Sequence, residues 1–128
     1  MPRELKRILF VEDEADIRTV TKLALEAVGG FEVKVCSSGA EALAAAPLAN
    51  ADLILLDVMM PGMDGTATFR ALRAIPATAR TPVIFITAKV QKDEIDSYKA
   101  LGVAGVIAKP FSPMQVSDQI RRIWERKA

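Results

Sequence analysis

The chain has 128 residues, of which 51% are hydrophobic and 26% are charged, a balance that favours one soluble folded domain over a disordered, fibrous or membrane-spanning chain. Seventeen basic and sixteen acidic residues leave a net charge of +1, so no excess of positive charge predicts direct binding to nucleic acid or to an anionic membrane surface. Every apolar stretch is far shorter than the roughly 20 residues of a transmembrane helix, and we expect a cytoplasmic protein.

Five short apolar runs recur along the chain, and most of the intervals between them have helical patterns. The runs cover residues 8–11, 33–36, 53–56, 83–86 and 106–108. Because they are nearly continuous rather than alternating, they are typical of strands that are covered on both faces in a parallel sheet. The second run ends at Cys36, the only cysteine, which we expect to be a buried strand residue rather than a reactive thiol.

The interval after the first run has the spacing of an amphipathic helix that ends at Gly29 and Gly30. Apolar residues recur there three and four positions apart. We therefore predict an inward face that consists of Ile17, Val20, Leu23, Ala24, Ala27 and Val28.

Local capping signals mark the next two helices. Ser38 followed by Glu41 forms a capping-box pattern, and the alanine-rich helix that begins there is predicted to end at Pro47. Asp64 is predicted to cap the third helix, which ends before Pro76.

The last two helices follow the fourth and fifth runs. Gly102 is predicted to cap the end of the fourth, whose inner side has Ile95, Tyr98 and Leu101. Ser112 is predicted as the N-cap of the fifth, with proline next and glutamine three residues on. The inward residues of that helix are predicted to be Val116, Ile120 and Ile123.

Five strands that are each followed by a helix predict an open α/β sheet with helices on both faces, which is a three-layer αβα domain. No linker or second domain remains, so we expect residues 1–128 to form a single domain.

Polar side chains follow every predicted strand except the second. Glu12 and Asp13 come after the first strand, Asp57 after the third, Thr87 after the fourth and Lys109 after the fifth. Ligands of such sheets bind outside the carboxyl ends of the strands, so these side chains are expected to converge.

A single acid after a strand is more often an ordinary loop residue than a site, but three acids at one edge repel each other. They must take up protons or bind a cation, and a hard divalent ion such as Mg²⁺ or Mn²⁺ fits oxygen ligands. Lys109 can pair with a carboxylate, or with a phosphoryl oxygen when one is present.

Together, Glu12-Asp13, Asp57 with the segment 58–65, Thr87-Ala88 and Lys109-Pro110 resemble the signature of response-regulator receiver domains of two-component systems, most closely the single-domain, chemotaxis-regulator-like members. The resemblance implies a flavodoxin-like sheet in the strand order 2-1-3-4-5. It implies a phosphoacceptor role for Asp57, with Thr87 and Lys109 binding the phosphoryl group and Ala88 leaving space beside it. It also implies a cis Lys109-Pro110 peptide bond.

The same resemblance implies a metal site for Mg²⁺ (or Mn²⁺). Asp13 and Asp57 would be direct ligands, Glu12 would act directly or through water, and the backbone carbonyl of Met59 would complete the protein's share. The phosphoryl donor would be a phosphohistidine of a sensor histidine kinase or histidine phosphotransfer protein, because the chain itself has no histidine.

The output is expected to differ in one respect from that of many receivers, which have an aromatic residue where this chain has Val106. We therefore expect phosphorylation to act through Thr87 and residues 88–90 on the fourth helix and the face that it shares with strand five and helix five. That face would bind a downstream protein or a second copy of the chain. Tyr98 and Trp124 either belong to that surface or are ordinary half-buried packing residues.

Other functional classes fit less well. A phosphoaspartate hydrolase places an Asp-x-Asp pattern after its first strand, where this chain has Glu12-Asp13-Glu14, and a nucleotide-binding domain needs a glycine-rich loop that is absent. We predict a signalling switch rather than an enzyme, with only self-catalysed phosphoryl transfer and dephosphorylation. A receiver-like interaction domain that is not phosphorylated remains the alternative.

Overall fold

The computed structural model describes residues 4–127, so both ends of the expected 1–128 domain lie outside the described residues. Strands and helices alternate along the chain. The strands are β1 (Arg7–Val11), β2 (Glu32–Cys36), β3 (Leu53–Asp57), β4 (Val83–Thr87) and β5 (Gly105–Ala108). The helices are α1 (Ala15–Ala27), α2 (Gly39–Ala49), α3 (Gly65–Arg73), α4 (Lys92–Leu101) and α5 (Val116–Lys127), with a short 3₁₀ turn at Pro76–Thr78.

All five strands are parallel and lie in the order β2-β1-β3-β4-β5, which confirms the predicted order. Every residue of β3 and β4 is buried, whereas the edge strand β2 alternates between more and less exposed positions. The continuous apolar runs are therefore those of central strands, which helices cover on both faces.

The core has two halves, one on each face of the sheet. On one face, Phe69 and Leu72 of α3 pack with Phe85 of β4 and with α2. On the other face, Leu25 of α1 and Ile120 of α5 pack against the strands. Neighbouring strand residues alternate between the two halves, because successive side chains point to opposite faces. The predicted three-layer architecture is confirmed.

The inward face predicted for α1 is largely wrong. Val20, Leu23 and Val28 are exposed, whereas Thr21 and Leu25 are buried, and of the predicted face only Ala24 is fully buried. The helix has two apolar rows about one residue apart, and both satisfy helical spacing. The row that faces the core is decided by the way in which the helix crosses the sheet, which spacing alone does not encode.

Two predicted helix boundaries are also wrong. Pro47 does not end α2; it lies within the helix, which continues to Ala49 and ends at Asn50 in the left-handed conformation (φ 53°). Proline removes only one backbone donor, so a helix near its end can continue past it. Helix α5 begins at Val116 rather than beside Ser112, whose carbonyl accepts the Val116 N–H within the preceding turn.

The other local predictions are confirmed. Ser38 accepts a hydrogen bond from the Glu41 N–H (3.0 Å), Asp64 accepts one from the Ala67 N–H (2.9 Å), and Gly102 ends α4 with a φ of 105°. The Lys109–Pro110 bond is cis. Within the described residues no helix combines the length and the apolar character that crossing a bilayer requires.

Candidate functional site

The predicted polar residues meet at the carboxyl-end edge of the sheet. Glu12 and Asp13 follow β1, Asp57 ends β3, Thr87 ends β4 and Lys109 follows β5. Since these four strands are parallel neighbours, their ends lie side by side. One carboxylate oxygen from each of the three acids lies within 4.8 Å of the others. The three acids therefore lie together, as the sequence predicted.

Lys109 joins two of these acids. Its Nζ atom lies 2.8 Å from Glu12 Oε1 and 3.3 Å from Asp57 Oδ2. Burial lowers the pKa of Lys109, but its contacts with Glu12 and Asp57 outweigh burial, so the pKa is raised overall. The ammonium group therefore stays charged and offsets one of three negative charges.

Burial sets the acidity of Asp57. The side chains of Glu12 and Asp57 are 0% and 1% exposed. Desolvation, together with the charge of Glu12, raises the pKa of Asp57 to about 7, against the opposing influence of Lys109 and the Met59 N–H. The carboxylate that is expected to act as a nucleophile is thus poised between its two protonation states near neutral pH.

The buried oxygens of the three acids have few partners. Asp13 Oδ1 has no hydrogen-bond partner among the described residues, while the Lys109 ammonium is the partner of both Glu12 Oε1 and Asp57 Oδ2. Asp57 Oδ1 accepts the Met59 N–H at 3.2 Å. Three carboxylates that share one ammonium, with an Asp13 oxygen left unpartnered, fit a hard cation that prefers oxygen ligands, such as Mg²⁺.

Thr87 and Ala88 flank the acids from β4. The buried Thr87 hydroxyl oxygen accepts the Lys89 N–H at 3.0 Å, so its proton remains available to another acceptor. Ala88 is exposed and lines a groove of about 420 Å³ next to Lys109. The other lining residues are mainly apolar and come from α1 and the β5–α5 loop: Asp16, Ile17, Val20, Thr21, Pro110, Phe111 and Pro113.

Two residues at this site were not predicted from the sequence. A Cβ atom at Gly65 would lie 2.5 Å from the Asp57 carbonyl oxygen, so only glycine allows α3 to begin against the backbone of the candidate nucleophile. Arg18 donates hydrogen bonds to the carbonyls of Glu12 (2.8 Å) and Asp13 (3.3 Å). The only signal for Arg18 in the sequence was a basic residue one turn into the helix that follows an acidic pair.

Cys36 lies in the core, as predicted. Burial is the main cause that raises the pKa of its thiol to about 11. The thiol is therefore protonated at neutral pH, which is the state of an inert structural cysteine.

The chain is similar to known proteins over most of its length. Residues 8–121 match the family model of the response regulator receiver domain. The transcriptional regulatory protein ResD of Bacillus subtilis is 39% identical over 94% of this chain and 48% of its own length. The chemotaxis protein CheY of Pseudomonas aeruginosa is 32% identical over 94% of this chain and 97% of its own. The chain thus spans about half the length of ResD and nearly all of CheY.

Solved structures give the same result. The chemotaxis response regulator CheY4 of Vibrio cholerae superposes with a TM-score of 0.85 at 32% identity, covering 94% of this chain and 99% of that one. The receiver domain of the sensor histidine kinase PA1611 of Pseudomonas aeruginosa has a TM-score of 0.79 at 29% identity, covering 96% and 97%. That domain holds a magnesium ion in its active site cleft.

Proposed function

The chain belongs to the response regulator receiver domain family, and we propose that it is a two-component switch that accepts a phosphoryl group on Asp57. The observation that carries the proposal is a cluster of three carboxylates, two of them buried, that contacts one lysine, with Thr87 at the end of the strand next to Asp57. A cluster with so few internal partners is costly for a purely structural role. It suits a site that a cation and a phosphoryl group complete.

In the proposed reaction, an ionised oxygen of Asp57 attacks the phosphorus of a phosphohistidine. The new oxygen–phosphorus bond forms as the phosphorus–nitrogen bond breaks. The electron pair of the broken bond returns to the donor's imidazole. Lys109 then exchanges its contact with Asp57 for one with a phosphoryl oxygen, and the Thr87 hydroxyl donates to another. The side chain of Ala88 is only a methyl group, which leaves space for them.

The carboxylates of Glu12, Asp13 and Asp57 and the carbonyl of Met59 would hold Mg²⁺ (or Mn²⁺) at this edge. When bound, the ion supplies positive charge that offsets the charge developing on the transferred oxygens. The unpartnered Asp13 Oδ1 supports a direct role for Asp13. Glu12 Oε2 already accepts the Glu14 N–H (3.2 Å) and Oε1 contacts Lys109, which suits a ligand that acts through water.

The donor must dock beside Asp57, since the chain has no histidine of its own. We propose that a histidine kinase or histidine phosphotransfer protein binds the groove next to Lys109 and the outer side of α1. Val20 and Leu23 are 49% and 65% exposed there, which leaves apolar surface for a partner.

A negative charge introduced on this surface should impair docking of the donor protein without impairing the phosphoryl transfer itself. We expect Val20→Asp to slow transfer from a phosphorylated histidine protein while leaving phosphorylation by the small donor acetyl phosphate unchanged. Leu48→Asp, at a 90% exposed position of α2, is the matched control. Equal rates for both variants would place the docking surface elsewhere.

The output is proposed to run from Thr87 through residues 88–90 to α4. Helix α4 has no fully buried residue, so it is lightly held, although Tyr98 packs edge-on against Phe85 (centroids 5.4 Å apart). Val106 of β5 is half-buried and, like Tyr98, packs against the core cluster that contains Phe85. The α4–β5–α5 face would then bind a downstream protein or a second copy of the chain, with no direct contact to nucleic acid.

The expectations of a single domain over residues 1–128 and of a cytoplasmic location belong to the same proposal. So does the absence of any reaction beyond self-catalysed phosphoryl transfer and dephosphorylation. Receiver domains are signalling switches. The chemistry proposed at Asp57 does not depend on the domain bounds, the location or the absence of other reactions.

The decisive experiment is phosphorylation with acetyl phosphate and Mg²⁺, read by intact mass. We expect one added phosphoryl group that hydroxylamine removes, and its loss in Asp57→Asn. Asp96→Asn, a substitution on the exposed surface of α4, should keep it. Phosphate that persisted on Asp57→Asn would disprove the site assignment, and a wild-type protein that stayed unmodified would favour the non-phosphorylated interaction domain.

A further inference from the structure

Arg18 binds the backbone of the turn that carries two of the acids. It lies in the first turns of α1 and is half-buried. Its Nη1 atom donates to the carbonyl oxygen of Glu12 at 2.8 Å and to that of Asp13 at 3.3 Å. The guanidinium therefore touches the backbone beneath the carboxylates, and no hydrogen bond or ion pair joins it to the carboxylates themselves among the described contacts.

The contact with Arg18 also fixes the direction of the next backbone N–H group, which binds the Glu12 side chain. In a trans peptide the carbonyl and the N–H point in opposite directions. With the Asp13 carbonyl turned toward Arg18, the Glu14 N–H points the other way and donates to Glu12 Oε2 at 3.2 Å. One oxygen of the Glu12 carboxylate is thus held by the turn, and the other meets Lys109 at 2.8 Å.

This arrangement positions the acids without using their carboxylate oxygens as acceptors for Arg18. A basic residue that bonded directly to Glu12 or Asp13 would compete with a cation for the same oxygens. Arg18 uses carbonyl acceptors instead, so the Asp13 oxygen that has no partner remains available.

We propose that Arg18 is a positioning residue that sets the affinity of the acid site for Mg²⁺ and its preference for Mg²⁺ over Ca²⁺. The proposal rests on the proposed function. Mg²⁺ requires near-ideal octahedral geometry at short distances, whereas Ca²⁺ accepts longer and less regular arrangements. A turn that is held rigidly therefore favours Mg²⁺, and a loosened turn loses more affinity for Mg²⁺ than for Ca²⁺.

The chain supplies a matched control for a purely structural role. Arg73 also clamps two backbone carbonyls, those of Thr78 (2.9 Å) and Thr81 (2.7 Å), and it is half-buried like Arg18. Its loop follows α3 at the amino ends of the strands, away from the acids. Loss of either clamp should destabilise the fold, but only loss of Arg18 should change the metal site.

The test is titration of the purified protein with Mg²⁺ alone and with Ca²⁺ alone, alongside thermal unfolding. For Arg18→Met we expect Mg²⁺ affinity to fall by about tenfold, the low end for residues that support metal ligands, and Ca²⁺ affinity to fall by less. Arg18→Lys, which keeps the charge and one donor, should recover part of the loss. Arg73→Met should leave both affinities within about twofold of the wild type.

The outcomes separate this inference from the proposed function. If the wild type binds Mg²⁺ and is phosphorylated on Asp57 while Arg18→Met and Arg73→Met have the same metal affinities, Arg18 is only structural and the inference is overturned alone. Equal losses of Mg²⁺ and Ca²⁺ affinity in Arg18→Met overturn the selectivity. A wild type that bound no Mg²⁺ and took up no phosphate would overturn both. Arg18→Lys keeps the test informative if Arg18→Met does not fold.

Discussion

The two edges of the sheet both carry charged residues, but the burial and pairing of these residues differ between the edges. At the amino-end edge, Asp52 accepts the N–H groups of Lys6 and Arg7 (3.0 and 2.9 Å), and Arg7 pairs with Glu32 at 2.8 Å. The side chains of that ion pair are 49% and 72% exposed. At the carboxyl-end edge, Glu12 and Asp57 are buried and Asp13 is half-buried, and the three acids share a single ammonium, that of Lys109.

Cavity size does not identify the edge that carries the candidate site. The cleft at the amino-end edge has a volume of about 780 Å³, and the groove beside Lys109 about 420 Å³. What distinguishes them is the free energy of the charges: exposed and paired groups cost little, whereas buried acids with few partners are costly unless a ligand completes them. Charge alone is therefore a weak sign of function, and incomplete pairing of buried charge is a stronger one.

The largest expected effect comes from removing the cation at the carboxyl-end edge. Lys109→Met would leave Glu12 and Asp57 buried without their ammonium partner. We expect the free energy of unfolding of the metal-free protein at pH 8 to fall by about 3 kcal/mol. Chemical denaturation in EDTA measures it. A loss no greater than that of Arg7→Met, the corresponding change at the other edge, would erase the contrast between the edges.

The next effect is a pH dependence that belongs to Asp57. Its pKa is about 7 in the folded protein and near 3.8 unfolded, so between these values the folded state binds the extra proton. The free energy of unfolding should therefore decrease as pH rises from 5 to 8, by roughly 2–3 kcal/mol. The chain has no histidine to add a competing titration in that range.

Denaturation curves at several pH values without metal measure this slope. Asp57→Asn should flatten it, and saturating Mg²⁺ should reduce it because the cation favours the ionised carboxylate. A slope that remained in Asp57→Asn would assign the titration to another group.

A smaller effect is expected for Asp13. Asp13→Asn should weaken Mg²⁺ binding by at least about tenfold, the loss typical of a residue that only supports a ligand, because a direct ligand is lost. It should slightly stabilise the metal-free protein by relieving repulsion. Calorimetric titration measures the first and thermal unfolding the second. Asp16→Asn, exposed on the first turn of α1, is the control. Unchanged affinity in Asp13→Asn would remove Asp13 from the ligands.

The smallest effect is expected at the amino-end edge. Arg7→Met breaks an exposed ion pair with Glu32, and exposed pairs contribute little because water and salt screen them. We expect the unfolding midpoint to stay within experimental error, and any difference from the wild type to vanish at 1 M salt. A loss comparable to that of Lys109→Met would show that burial is not what separates the edges.

Sequence patterns were sufficient to predict the alternation of strands and helices, most helix caps and the set of residues at the strand ends. These features depend on short-range patterns and on the rule that parallel strands end at one edge, so they need no knowledge of distances. The inward face of α5 was predicted correctly for the same reason: Val116, Ile120 and Ile123 form its only apolar row, and all three are buried.

Only the tertiary structure decided the face of α1, the role of Gly65 and the contacts of Arg18. Helix α1 has two apolar rows, and the crossing of the helix over the sheet selects Thr21 and Leu25 rather than Val20 and Leu23. Arg18 looks in the sequence like any helix arginine, because the carbonyls that it binds come together only after the turn has folded. The burial that raises the pKa of Asp57 likewise arises from the packing of the whole sheet, which no local pattern contains.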